Sequence, residues 1–305
     1  MSPAERDSRT ADPGSAATAL LDGRPRAKEL RADTAGRAER LAAAGTRPRL
    51  AVVVATADES TAWYVRSIVR AAGKSGLRCD TVELPADSAP ERIGAALAEL
   101  SADPDVHGVI LQTPLPPGAV AADLAAAIDP AKDVDGANPL SLGRLAAGLP
   151  AFAPATAEAV VELLDAHGVT LSGRTVAVVG RSTVVGKPLA HLLLARDATV
   201  TVAHSRTADL AAVTRQADVV VAAAGRLGLI TGAHLREGAV VVDVGTNPTP
   251  DGGLAGDVDA ASAAPRAAAL SPVPGGVGPV TTALLLGHTV AAAEALTGGA
   301  DGPSS

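Results

Sequence analysis

A chain of 305 residues, 47% hydrophobic and 19% charged, is long enough for two ordinary domains with substantial cores. A formal net charge of -7 and the lack of any Lys/Arg run leave no clustered cationic surface, so no nucleic-acid partner is expected, while small anionic ligands stay possible through local sites. The single cysteine, Cys79, excludes an internal disulfide and fits a reducing compartment, where it reads as a small core residue.

Residues 1–15, MSPAERDSRTADPGS, are polar, mixed in charge and without the apolar stretch of a secretory signal, and read as a disordered tail. No apolar run comes near the roughly 18 residues of a membrane span, so no membrane partner is expected and the cytoplasm is the simplest location. Apolar positions at helical spacing from Leu20 to Ala44 predict a helix, and the Val-rich RPRLAVVVA after it predicts a buried strand. TAWYVRSIVRAAGKSG, residues 61–76, predicts a second helix with Tyr64 and Ile68 one turn apart on one face. By itself that face reads as core. RCDTVEL then predicts a strand, SAPERIGAALAELSA a helix, and VHGVILQTPLP a strand that ends in a Pro-bounded loop. Strands alternating with helices imply a parallel sheet with helices on its faces.

Two prolines in LPAFAPAT break the pattern and put a boundary near Leu149, with one domain over 16–149 and a second over 150–279. The rhythm resumes with a helix at TAEAVVELLDAHG, a strand at RTVAVVG, a helix at GKPLAHLLLARD, a strand at ATVTVAH and a helix at TADLAAVTRQ. Three short strands are expected at ADVVVAAA, LGLIT and AVVVDVG, then the glycine-rich loop SPVPGGVGPV. A last apolar helix over 280–297 is expected to return and complete the first domain, leaving 298–305 as a flexible tail.

VAVVGRSTVVGKPLA reads strand, glycine turn, helix, a setting in which N–H groups at a helix N-terminus hold phosphate. Gly180 and Gly186 allow close backbone approach, but the spacing is not G-x-G-x-x-G, so a tight turn that needs glycine for its dihedrals is the competing reading. The following strand ends in His204, Ser205 and Arg206, with Arg181 in the neighbouring turn. These are donors where an NAD site has a carboxylate, so a 2'-phosphate is better received than a hydroxyl and NADP is expected over NAD.

Taken together, LLDG, YVRS, VHGVILQTPLP, KDVDG, GRSTVVGKPLA, TVAHSRT, VVDVGTN, GDVD and SPVPGGVGPVTTALLL occur in an order that closely resembles the methylenetetrahydrofolate dehydrogenase/methenyltetrahydrofolate cyclohydrolase family, called FolD in bacteria. The resemblance implies an α/β fold of two domains flanking a cleft: an N-terminal folate and catalytic domain completed by the last helix, and a Rossmann-type parallel-sheet domain for NADP, usually in a homodimer. It implies oxidation of the methylene carbon of the folate by NADP+ and then hydrolysis of the methenyl cation to 10-formyltetrahydrofolate. Tyr64 falls where the family stacks an aromatic near the folate rings, Gln112 at its active-site glutamine, and Asp135 at the carboxylate that holds the pterin. Leu111 and Thr113 flank Gln112; Pro272, Val273, Pro274, Gly275 and Gly276 would line the folate site. Gly180, Arg181, Ser182, Gly186, His204, Ser205, Arg206 and Thr246 fall on the cofactor side, and no metal is expected.

Three departures stand out. PATA at Pro154 to Ala157 replaces PCTP, a change expected to touch packing more than chemistry, and Ser141 replaces an asparagine. Where the family reads Y-V-x-x-K, this chain places Ile68 at the lysine that is the main candidate for proton transfer in the hydrolytic step. Isoleucine transfers no proton, Arg66 and Arg70 lie on other faces and stay charged, and Lys74 is about 9 Å further up the helix axis. The resemblance therefore implies a dehydrogenase with the cyclohydrolase step weak or lost. A diverged paralogue acting on another folate-like substrate and a non-catalytic folate/NADP-binding protein are the alternatives.

Overall fold

The computed structural model describes residues 18–250 and 252–298; the tails expected at 1–15 and 298–305 lie outside them, apart from Gly298. The chain opens with β1 (Ala19–Leu20) and α1 (Arg24–Ala43). The helix starts later than the apolar spacing predicts because Gly23 precedes it and Pro25 fits its first turn, which leaves Leu20 to a strand. Then β2 (Arg49–Val54), α2 (Glu59–Lys74), β3 (Arg78–Glu83), α3 (Pro90–Ala102) and β4 (Gly108–Leu111) follow where predicted. The central strand β2 pairs in parallel with β3 and β4, and its unbroken apolar run is buried on both faces, as a covered parallel strand requires. The N-terminus of α2 is capped by Asp58, which accepts from the Thr61 N–H at 2.8 Å. Two helices of this half escape the sequence reading, α4 (Ala121–Ala125) and α5 (Pro139–Ala146). The first is too short to show a period, and the second is masked by Pro139 and Gly143.

The second half comprises α6 (Ala155–Ala166), β5 (Thr175–Val179), α7 (Gly186–Leu194), β6 (Thr199–Ala203), α8 (Leu210–Thr214), β7 (Val219–Ala222), β8 (Ala239–Asp243), β9 (Asn247–Pro248), β10 (Leu254–Ala255), α9 (Ala260–Ala263), β11 (Ala267–Leu270) and α10 (Val277–Gly298). The strand expected at LGLIT does not form: Gly228 takes a φ of 62°, and only Ile230 makes a single bridge, to Val258. Its place in the sheet is filled by β11, whose alanines gave no signal. The large sheet runs β1-β11-β8-β7-β5-β6, and every pair in it is parallel. This is a Rossmann-like sheet beside a smaller parallel one, a two-domain α/β fold.

Both ends of the described chain cross between these units. β1 pairs with β11 of the large sheet, while α10 packs on α1 and α6 and also touches α2, β2 and β4 of the smaller unit. With 22 residues, α10 is long and apolar enough to span a bilayer, which corrects the expectation that no stretch approaches that length. Thr281, Thr289, His288 and Glu294 interrupt the run and hid it. Most of α10 is buried inside the protein, with Thr289 closed off completely, and it serves here as the core helix joining the two units.

Candidate active site

In the large sheet the chain goes from β5 to β6 on one side and then to β7 on the other, so the switch point lies at the carboxyl ends of these strands. Gly180 sits there with a φ of 136°, and a Cβ on it would run into the Ala223 carbonyl. A Cβ on Gly186 would strike the Gly180 carbonyl. Both glycines are therefore required by the closeness of strand, turn and helix, as the tight-turn reading has it, and the turn between them is exposed. Among the described residues, the N–H groups of Arg181, Ser182, Thr183 and Val184 donate to no protein acceptor. Ser182 Oγ accepts from the Val185 N–H at 3.1 Å and anchors the turn to the start of α7. Exposed Arg181, Ser205 and Arg206 surround this turn's strand ends, and neither arginine is ion-paired among the described residues. His204 Nδ1 accepts from the Arg206 N–H at 3.1 Å and shapes the loop that carries that guanidinium. Free donors and unpaired guanidinium groups at a switch point fit a phosphorylated dinucleotide.

Thr246, exposed between β8 and β9, belongs to a loop fixed by two buried carboxylates. Asp257 is fully buried and accepts from the N–H groups of Ala224, Gly225 and Arg226 and from Asn247 Nδ2, all within 2.6–2.9 Å. Asp243 accepts from the N–H groups of Gly245, Asp257 and Val258, each at 2.9 Å. Asp257→Ala leaves these four part-buried donors without their acceptor and is expected to cost about 3 kcal/mol, read as an earlier urea midpoint, and to displace the Thr246 loop.

The smaller sheet has its own switch point, at the ends of β2 and β4. Gln112 leaves β4 there, its N–H donating to the Val53 carbonyl at 2.9 Å and its side-chain amide to the Thr113 carbonyl at 3.1 Å. Leu111 is half-buried, and Thr113 is touched by the Thr61 hydroxyl at 3.4 Å, which ties the start of α2 to this loop. Tyr64 is half-buried, its hydroxyl meets that of Thr282 on α10, and burial followed by the charge of Asp135 pushes its phenol up to about 12. Ile68, one turn on, is fully buried in the core. Pro272 to Gly276 lead into α10 and are clasped by the opening LLDG: the Gly23 N–H donates to the Gly275 carbonyl at 2.9 Å. A side chain on Gly23 would collide with Gly276.

The KDVDG loop divides its two aspartates between different tasks. Asp133, fully buried, holds the turn itself, accepting from the Ala137 and Asn138 N–H groups at 2.9 Å each, with Ser141 buried beside it. Asp135 is thereby spared for other work. Its carboxyl faces the Ala155 amide at the start of α6 and is pushed up to about 7, by burial first and the nearby Asp133 second. The altered PATA segment thus lies directly against this carboxylate, with Ala155 and Ala157 fully buried. Three residues near this cluster were missed by sequence reasoning: Thr282, Glu158 and His288. The polar pairs Thr281–Thr282 and His288–Thr289 on an otherwise apolar helix were the available signal for Thr282 and His288; Glu158 looked like an ordinary solvated helix position.

A phosphate-receptive turn on a Rossmann-like sheet, beside a second α/β unit that offers a tyrosine, a glutamine and a buried carboxyl, defines a two-domain dinucleotide-dependent enzyme. The family profile described as Tetrahydrofolate dehydrogenase/cyclohydrolase, catalytic domain, matches residues 21–135, and the NAD(P)-binding domain of the same description matches residues 154–297. The chain belongs to the tetrahydrofolate dehydrogenase/cyclohydrolase family. The Bifunctional protein FolD 1 of Saccharopolyspora erythraea is 66% identical over 278 residues, 91% of this chain and 95% of that protein. Among solved structures, the bifunctional FolD methylenetetrahydrofolate dehydrogenase/cyclohydrolase of Campylobacter jejuni has a TM-score of 0.88 at 35% identity, covering 92% of this chain and 99% of its own. The Trypanosoma brucei FolD complexed with NADP cofactor and inhibitor also reaches 0.88, at 36% identity over 94% of this chain and 100% of its own.

Proposed function

We propose that this protein oxidises 5,10-methylenetetrahydrofolate to 5,10-methenyltetrahydrofolate with NADP+, and that the hydrolysis to 10-formyltetrahydrofolate is weak or lost. Bound NADP+ supplies the hydride acceptor. The chain's residues supply placement: the Asp135 carboxylate accepts from the amino and N–H groups of the pterin, Tyr64 and the Pro272–Gly276 loop flank the flat rings, and Gln112 offers a donor and an acceptor beside them. The free N–H groups at 181–184, with Arg181 and Arg206, receive the phosphates.

The observation that carries the second clause is Ile68, fully buried one turn from Tyr64. Methenyl hydrolysis needs a group that exchanges protons near neutrality. Tyr64, at about 12, stays neutral. Arg66 and Arg70 line a different cavity of about 620 Å3 with Asp58 and Glu59, and Lys74 is exposed at the far end of α2. Asp135 is committed to the pterin.

The purified protein, given methylenetetrahydrofolate and NADP+, is expected to form NADPH and accumulate methenyltetrahydrofolate, with 10-formyl product appearing at the rate of the buffer alone. Enzyme-dependent loss of the methenyl absorbance that keeps pace with NADPH formation overturns the second clause, and absence of NADPH overturns the first. A homodimer in the cytoplasm completes this reading, and sedimentation of the purified protein as a monomer would remove the dimer from it.

A further inference from the structure

Helix α10 turns a histidine with acceptors at both ring nitrogens toward the KDVDG loop. His288 Nδ1 lies 2.8 Å from the Val134 carbonyl, and Nε2 lies 3.1 Å from Glu158 Oε2. A carbonyl oxygen only accepts, so Nδ1 carries a proton; facing a carboxylate, Nε2 carries the other, and the ring is an imidazolium. Its side chain is 12% exposed, and the Phe152 ring packs on it with centroids 5.0 Å apart. A histidine on a buried stretch rich in leucine and alanine is a poor choice for packing alone, because a cation there needs both partners to offset its desolvation.

We propose that His288, held by Glu158, is a positioning residue for Asp135: it pins the loop backbone at Val134 and sets a positive charge beside the carboxylate. The inference rests on Asp135 being the pterin anchor. The groups facing Asp135 are Asp133 from its own loop, the Ala155 amide from α6, Tyr64 from α2 and His288 from α10. Of the side chains, His288 alone is cationic. The groups facing His288 are Glu158, the Val134 carbonyl, Asp135 and, from the same loop, Asp133; burial works against the charged ring, but its partners, Glu158 foremost, hold its pKa above the ordinary histidine value. On the outer side lies a cavity of about 400 Å3, whose other charges are already paired, Glu162 with Arg26 and Arg196 with Asp165. No other cation in that lining faces the pair.

Asparagine at 288 keeps a donor near the Nδ1 position and loses the charge; glutamine puts its amide near Nε2 and loses the Val134 anchor. The test measures KM for methylenetetrahydrofolate and for NADP+ on the folded enzyme between about pH 6 and about pH 9, the range in which histidine and the raised carboxyl titrate. In the unsubstituted protein the folate KM rises as pH falls and Asp135 takes up a proton. His288→Asn is expected to move that midpoint up by about one unit, about a fivefold higher folate KM near pH 7 that approaches tenfold near pH 6, with the NADP+ KM unchanged. Glu158→Gln, on the more exposed partner, moves it the same way by less. His288→Gln raises the folate KM at every pH.

Unshifted folate profiles in both His288→Asn and Glu158→Gln overturn the inference. So does a fall in kcat with both KM values rising together, the mark of a packing defect. Asp135→Asn separates the two readings: if it leaves the folate KM untouched, the pterin assignment fails, whereas if it raises KM while the His288 and Glu158 variants do nothing, only the present inference fails.

Discussion

Ile68→Lys is expected to raise methenyl hydrolysis by about a hundredfold, the low end of what one positioned acid–base group contributes. Side chains on a helix lean toward its N-terminus, so a lysine at 68 leans toward Tyr64, one turn earlier, and toward the carboxyl of Asp135 that faces Tyr64. Its methylenes can occupy the volume Ile68 now fills, leaving the amine to reach the open side of the site. Two effects then follow from one substitution. The amine is desolvated enough to exchange protons near neutrality, and while charged it favours the ionised form of Asp135. The variant also overpacks a site that is fully buried at present, so a loss of about 2 kcal/mol in stability accompanies the gain. Ile68→Met has comparable length and no amine; it carries the packing cost without the hydrolysis. Following the methenyl absorbance in both variants decides the matter: if Lys hydrolyses no faster than Met, the isoleucine is not what limits the second step.

How much of this was legible in the sequence follows from the kind of signal each part leaves. β2, α2, α3 and β4 carry strong apolar periods, and their alternation was enough to foresee parallel sheets. β11, four residues of alanine and leucine, carries no such period; it is a strand because β1 and β8 flank it, a fact of tertiary structure. The glycine turn was legible with two readings open, close approach to a ligand and a tight turn; that the turn itself needs both glycines shows only in the contacts of Gly180 with the Ala223 carbonyl and of Gly186 with the Gly180 carbonyl. The resemblance put Asp135 at the pterin carboxylate; the turn-holding task of its neighbour Asp133 shows in the hydrogen bonds from Ala137 and Asn138. The His288–Glu158 pair spans 130 positions and two helices, and nothing local marks it.

Asp135→Asn is expected to lower activity and raise stability, and both effects grow as pH rises through the titration of the carboxyl it removes. An asparagine presents one acceptor oxygen and an unwanted donor to the pterin, so two charge-assisted bonds are weakened and the folate KM rises by about a hundredfold. On stability, the folded-state value of about 7 lies above the ordinary 3.8, so the protonated carboxyl is the form the fold prefers. That preference stabilises the protein fully below the ordinary value and is lost as pH rises from there through about 7. At alkaline pH the unsubstituted protein therefore holds an ionised carboxylate against burial and against Asp133, at a cost on the order of a few kcal/mol that His288 only partly offsets. Asparagine has no such charge. Its melting temperature should exceed that of the unsubstituted protein near pH 8 and approach it near pH 5, since the raised carboxyls of Asp133 and Asp243 are common to both proteins and cancel in the difference. Melting curves that differ by the same amount at both pH values would show that Asp135 is not ionised at the expense of the fold. The carboxylate proposed for the pterin would then come at no cost in stability, and the buried setting of the KDVDG loop would need another reason.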